Sequence, residues 1–183
     1  MLAPRTVHTI GRVLPDGRQV IFDCVLSSAG CAWHRHEMDV VGAYVGVAPC
    51  AVDDVWTFLA GEPPAVRLME MSKAVMSLGQ AAQDLSPAVD EPGDLVFAVH
   101  RRVALRAMPM RRARLAILNE IVTACRVVGR GAAESMRSAS ARPPVTAATA
   151  GLLAALDAAG AEAQATLETD FPAVARRGST LPI

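Results

Sequence analysis

A chain of 183 residues that is 52% hydrophobic and 20% charged is too apolar to stay disordered, and at that length it buries roughly 70% of the surface its unfolded form exposes. Its 18 basic and 18 acidic residues cancel, so it lacks the electropositive excess with which nucleic-acid binders neutralise phosphate. The longest charge-free runs, Val40–Val52 and Pro143–Leu156, are 13 and 14 residues, short of the ~20 needed to span a bilayer. Neither nucleic acid nor a membrane is an expected partner.

The N-terminus has no apolar signal core, and the four cysteines (Cys24, Cys31, Cys50, Cys125) include no C-x-x-C spacing. Both features point to free thiols in a reducing cytoplasm. Seventeen arginines stand against the single Lys73, a codon bias that points to a high-GC bacterial genome. With few aromatics, the core has to be built from Val, Leu, Ala, Ile and Met.

Taken in chain order, residues 6–26 read as strand, turn, strand. Val7, Thr9, Gly11 and Val13 alternate with His8, Ile10, Arg12 and Leu14. Pro15-Asp16-Gly17-Arg18 is turn chemistry, and Gln19–Leu26 returns as a second strand, which predicts a β-hairpin. Such a hairpin needs helices or another chain's edge to lie on. Beyond the Ser27–Gly30 loop, Trp33, Glu37, Val40, Val41, Tyr44 and Val47 recur at helical spacing and predict a helix over 32–47. Val40–Val47, β-branched and carrying Gly42 and Gly46, reads equally as a strand.

Asp53-Asp54 caps a short helix holding Val55, Trp56, Phe58 and Leu59, stopped by Gly61. Pro63-Pro64 opens a helix to about Gln83, with Ala65, Leu68, Met69, Ser72, Val75, Met76 and Gly79 as its buried stripe. Ser86–Gly93 is a loop. Asp94 caps a further helix, which Pro109 breaks or kinks. From Met110 to about Val128 apolar residues lie nearly all round, which predicts a central helix buried on every side. Gly129-Arg130-Gly131 either ends or kinks it. Ser138–Pro144 is a linker, and Ala148, Leu152, Leu156, Ala159 and Ala163 mark a last, narrow helix before an irregular tail. The expected fold is mainly α. It is a compact bundle of about five to six helices in a single domain, 1–183, with the hairpin at 6–26, the bundle at 32–169 and the tail at 170–183.

The densest cluster of ligand-type residues is Cys31-Ala-Trp-His34-Arg-His36-Glu-Met38-Asp39. On a helix His34 and His36 point about 200° apart and cannot share an ion, whereas Cys31, His34 and Met38 share a face, with Cys24 the natural further ligand from the hairpin. Cys31, His34 and Cys24 are thus the candidate metal ligands, against the alternative of an ordinary solvated helix start, and no cofactor is expected. A di-iron carboxylate bundle is excluded, since no Glu-x-x-His occurs.

The run His100-Arg101-Arg102, Arg106, Arg111-Arg112 and Arg114 has no acid between positions 95 and 119. Arginine's planar fork suits carboxylate or phosphate, so the run is either an anion-binding wall or a solvated helix face. Glu120, inside the apolar helix, needs a partner, with Arg102 and Arg106 as first candidates. Glu70, between Met69 and Met71, raises the same question. Met69, Met71, Met76, Met108 and Met110 make either an adaptable interface or core filler.

No hydrolase or phosphate-loop signature is present. Two functions compete. One is a non-catalytic helical accessory subunit that binds a partner protein, as a homo- or hetero-oligomer, and supports that partner's enzyme activity in bacterial specialised metabolism. The other is a small cofactor-independent enzyme of such metabolism that takes an anionic small molecule. Its pocket between helices would use Glu120 and His100 for catalysis and Arg102, Arg106 and Glu70 for binding. A transition-metal-binding protein is the third reading. The motifs leave open whether the chain is catalytic.

Overall fold

The computed structural model describes residues 3–85, 97–138 and 147–172, with side chains described for 3–85, 109–134 and 147–172. The chain begins with a four-stranded antiparallel sheet in the order β1-β2-β3-β4: β1 Arg5–Val13, β2 Gln19–Ser27, β3 Gly30–Met38 and β4 Tyr44–Cys50. Helix α1 (Val52–Phe58) follows, then a 3-10 turn (Leu59–Gly61), α2 (Pro64–Asp84), α3 (Phe97–Ser138) and α4 (Ala147–Asp170). The architecture is α+β, which corrects the expected bundle of five to six helices with a hairpin. The predicted β1–β2 hairpin forms, and it is half of a larger sheet.

The missing half is the stretch expected as a helix over 32–47. It folds as β3, a turn and β4, so the strand alternative for Val40–Val47 is the observed one over Tyr44–Cys50. The turn is set by Asp39. Its Oδ1 accepts the N–H of Val41 at 3.0 Å and of Ala43 at 2.8 Å, while Gly42 takes φ +81°, a left-handed conformation open to glycine. With the chain reversed there, Cys31 and Trp33 alternate with His34 and His36 across the sheet. The helical spacing of Trp33, Glu37, Val40 and Tyr44 has no helix to serve.

The alternation on β2 shows which face is the core. Val20, Phe22, Cys24 and Leu26 are buried, and the residues between them are half-buried. Their register partners Ile10 on β1 and Trp33 on β3 are buried on the same face. Phe22 meets Phe58, ring centroids 5.0 Å apart.

On α1, Ala51 is the N-cap residue, and Asp54 reaches back so that its Oδ2 accepts the Ala51 N–H at 2.7 Å. The buried stripe of α2 is Leu68, Met71, Ala74, Val75, Leu78, Ala81 and Ala82. It is rotated from the expected one, and Met69 and Met76 are exposed. Both stripes have helical spacing. The observed one carries Ala74, Ala81 and Ala82, small side chains that let neighbouring elements approach closely.

Helix α3 runs unbroken for 42 residues through Pro109, Gly129 and Gly131, so neither the proline nor the glycines end it. It packs against α1, α2, α4, β2 and β3 and buries Ile117, Leu118, Ile121, Val122, Ala124, Cys125, Val127 and Val128. This is the predicted central helix, with one departure: Asn119, Thr123, Arg126 and Arg130 form an exposed stripe along it. Gly131 is a packing residue, because a Cβ there would lie 2.1 Å from Trp56 Nε1. The expected loop Ser86–Gly93, the Asp94 cap, the linker after Ser138 and the tail from residue 173 lie outside the described residues. No helix among the described residues is long and apolar enough to cross a membrane.

Candidate functional site

Among the described residues, helices cover only one face of the sheet. On the other face β1 presents Thr9 and Val13, β2 presents Ile21 and Asp23, β3 presents His34 and His36, and β4 presents Tyr44 and Val47. None of these is buried. Because residues two apart on a strand point the same way, His34 and His36 share this face, where a helix would have separated them. Asp23 stands opposite His34 in the register. Its Oδ1 accepts the Thr9 hydroxyl at 2.5 Å, and its Oδ2 lies 3.4 Å from His36 Nε2. The His36 ring tilts toward Tyr44 with centroids 6.2 Å apart. A polar row therefore crosses the sheet and ends against the apolar side chains of β4.

The two edges of the sheet differ in chemistry. On β1, Arg12 reaches Glu62 at 2.9 Å and Glu70 at 3.8 Å, Arg5 lies 3.9 Å from Asp84, and His8 Nδ1 is 3.0 Å from Ser77 Oγ. These contacts strap β1 to α2 and its approach. Burial lowers the His8 pKa below its usual value, partly opposed by the nearby Glu70 charge.

The other edge, β4, shares its extensive contacts with β3 alone. From Val40 to Val52 there is no charged residue. Val41 is 83% exposed, Tyr44 58%, Val45 65% and Val47 53%. Natural sheets blunt such edges with lysines, prolines or bulges. Here Pro49 acts only near the end of the strand, and the register shifts between Glu37 and Met38. The two hairpin tips adjoin, since a Cβ on Gly17 would come 3.3 Å from Val40 Cγ1. This carries the apolar surface from the edge around the end of the sheet.

Beneath the sheet, Glu120 of α3 accepts a hydrogen bond from Trp33 Nε1 at 2.9 Å. Burial raises the Glu120 pKa, and the indole N–H partly offsets the rise. The expected arginine partners Arg102 and Arg106, like His100, lie where side chains are outside the described residues. The described partner of Glu120 is the indole. A half-buried acid held this way stitches β3 to α3.

Cys24 and Cys31 also lie on this inner face, their Sγ atoms 3.4 Å apart. His34 is on the opposite face, so the sheet separates it from the two thiols that sequence spacing grouped with it. Among the described residues no three His, Cys, Asp or Glu side chains are arranged to hold a metal ion. Glu70 is engaged by Lys73 at 3.1 Å as well as by Arg12, which ties it to the β1 strap. Arg111 donates to the Asp170 carbonyl at 2.9 Å, and Arg114 pairs with the Asp170 carboxylate. This end of the arginine run ties α3 to α4.

Thr9, Asp23 and the β4 edge were not singled out by sequence reasoning. The available signal was the His-x-His alternation at 34–36, which has meaning only on a strand. No protein-family model, curated protein or solved structure matches the chain.

Proposed function

We propose that this chain is a non-catalytic interaction subunit whose β4 edge and adjoining outer sheet face bind a partner protein. The partner supplies an extended, uncharged segment that adds to the sheet beside β4. The observation that supports this reading is the contrast in one sheet between a strapped, charged edge and an open edge with no charge over 13 residues. Strand addition draws affinity from main-chain hydrogen bonds and specificity from side-chain pockets at alternate positions. Val45, Val47 and Tyr44 supply apolar contacts, and the absence of charge there rejects acidic or basic segments because each would lose its hydration unpaired.

The chain works in the cytoplasm of a high-GC bacterium and supports the enzyme activity of its partner in specialised metabolism. The engagement of Glu120 with Trp33, and of Arg111 and Arg114 of the arginine run with Asp170, favours structural roles for these residues.

The test is co-purification from the native host, with wild type and Val47→Lys as baits, followed by light scattering of the purified complex. A partner held at fixed stoichiometry by wild type and lost with Val47→Lys supports the reading. A protein that stays a lone monomer, or a partner retained equally by both baits, removes it.

A further inference from the structure

We propose that Cys24 and Cys31 are a redox-modifiable pair that closes into a cross-strand disulfide on meeting a small-molecule disulfide of the oxidised-glutathione type. The inference rests on the inner face of the sheet and is independent of the partner-binding reading. In the register Cys24 faces Trp33 and Leu26 faces Cys31, so the two thiols are diagonal neighbours on adjacent strands. Their Sγ atoms are 3.4 Å apart, and a disulfide of about 2.05 Å needs an approach of only about 1.3 Å.

The pairing is specific. Cys50 also stands on the register row of Trp33, but from β4, so β3 separates it from Cys24 by roughly 10 Å across two strand spacings; it is a diagonal neighbour of Cys31 too, yet the Cys31 sulfur makes its close contact with Cys24. Cys125 belongs to α3, where it packs against α4: a Cβ on Gly160 would come 2.9 Å from Cys125 Cβ. All four thiols are free in the structure.

The pair is also asymmetric. Cys31 is partly exposed and Cys24 is fully buried. The neighbouring Cys31, burial, and the Glu120 and Asp23 charges all favour the protonated Cys24 thiol. Cys31 therefore reacts first. Its thiolate attacks one sulfur of the small disulfide, whose S–S bond breaks; a mixed disulfide forms on Cys31, and one small thiolate leaves and takes a proton from water. Cys24 then gives its proton to solvent and attacks Cys31 Sγ, expelling the second small thiolate. Two protein thiols are oxidised, and one small disulfide is reduced to two thiols. The product ring closes around the Ser27–Gly30 turn, next to Trp33 and its bond to Glu120, and so fixes the β2–β3 hairpin where the sheet meets α3.

The experiment treats the native full chain with excess oxidised glutathione at neutral pH, alkylates the remaining thiols under denaturing conditions and maps the tryptic peptides. The expected result is loss of two of the four thiols, with the Gln19–Arg35 peptide two hydrogens lighter, free of glutathione and restored by dithiothreitol. Cys24→Ala should trap a stable glutathione adduct on Cys31, and Cys31→Ala should leave Cys24 reduced. Four free thiols, a lasting glutathione adduct in wild type, or a link involving Cys50 or Cys125 would each overturn the proposal. The wild-type map and Cys31→Ala decide the matter even if Cys24→Ala fails to fold.

Discussion

β1 and β4 are edge strands of the same sheet, seven to nine residues long, and each leaves one side of its backbone unpaired. They manage that exposure in opposite ways. Along β1, Arg5, His8 and Arg12 turn toward α2 and its approach, where Asp84, Ser77, Glu62 and Glu70 receive them. Charge on an edge strand discourages a further strand from adding, because the newcomer would have to desolvate it. β4 has no such guard. One edge is built into the fold, and the other is left outside it.

A set of variants and one pH scan sharpen or break this contrast. The largest effect belongs to Ile10→Ala. This β1 side chain is fully packed on the inner face, and losing it should cost about 2–5 kcal/mol in urea unfolding. Trp33→Phe comes next. It leaves the half-buried Glu120 without its donor, and the cost should be about 1–3 kcal/mol by the same measurement. Restoring stability with Trp33→Phe combined with Glu120→Leu would show that the unpaired acid, rather than the lost ring volume, carried the cost.

Arg12→Ala removes two half-buried ion pairs from the β1 strap and should cost about 1 kcal/mol, with the loss reduced at high salt. A pH scan reports the same strap through His8. Its folded pKa lies below its unfolded one, so the unfolded chain binds more protons in acid. The stability that neutral His8 contributes is present above pH 6.5 and is lost as pH falls through the folded pKa. Glu120, with its pKa raised, has the opposite sign: its contribution is full below its unfolded pKa and is lost as pH rises through the folded one. His8→Asn should flatten the first slope and Glu120→Gln the second. If neither slope responds, those groups do not titrate as their burial implies.

The smallest effect on the fold belongs to Val47→Lys, expected within about 0.5 kcal/mol of wild type because the side chain faces solvent. Its effect on association should be the largest of all. A marked loss of stability would mean that β4 is covered.

Part of this arrangement is legible in the sequence, although the α+β architecture is not. The β1–β2 hairpin announced itself through strict alternation around Pro15-Asp16-Gly17, and the central run of α3 through its apolar surface. The β3–β4 hairpin is legible only through the strand alternative for Val40–Val47. Its residues satisfy two periods at once: Trp33, Glu37, Val40 and Tyr44 fit a helix, while Cys31, Trp33 and the His34/His36 pair fit a strand. The arbiter is the single side chain of Asp39, which reverses the chain with two hydrogen bonds. Local periodicity carries no trace of it.

The same ambiguity governed the site. Read on a helix, His34 and His36 diverge; on β3 they line one face beside Asp23. Glu120 reads as an acid inside an apolar helix in need of a partner, and it is half-buried. That partner is an indole 87 positions earlier in the chain, and no feature of the local sequence pairs the two. Pro109 does not end its helix, so of the two readings only a kink is left. It removes one backbone donor, and the packing of a 42-residue helix on the sheet and three other helices outweighs that loss.

The most direct test is site-specific photocrosslinking in the native host, with a benzophenone amino acid placed in turn at Val47 on β4 and at Thr9 on β1. The open-edge account predicts a discrete adduct with one partner from position 47 and none from position 9. Adducts from position 9 alone, or from neither position, would contradict it.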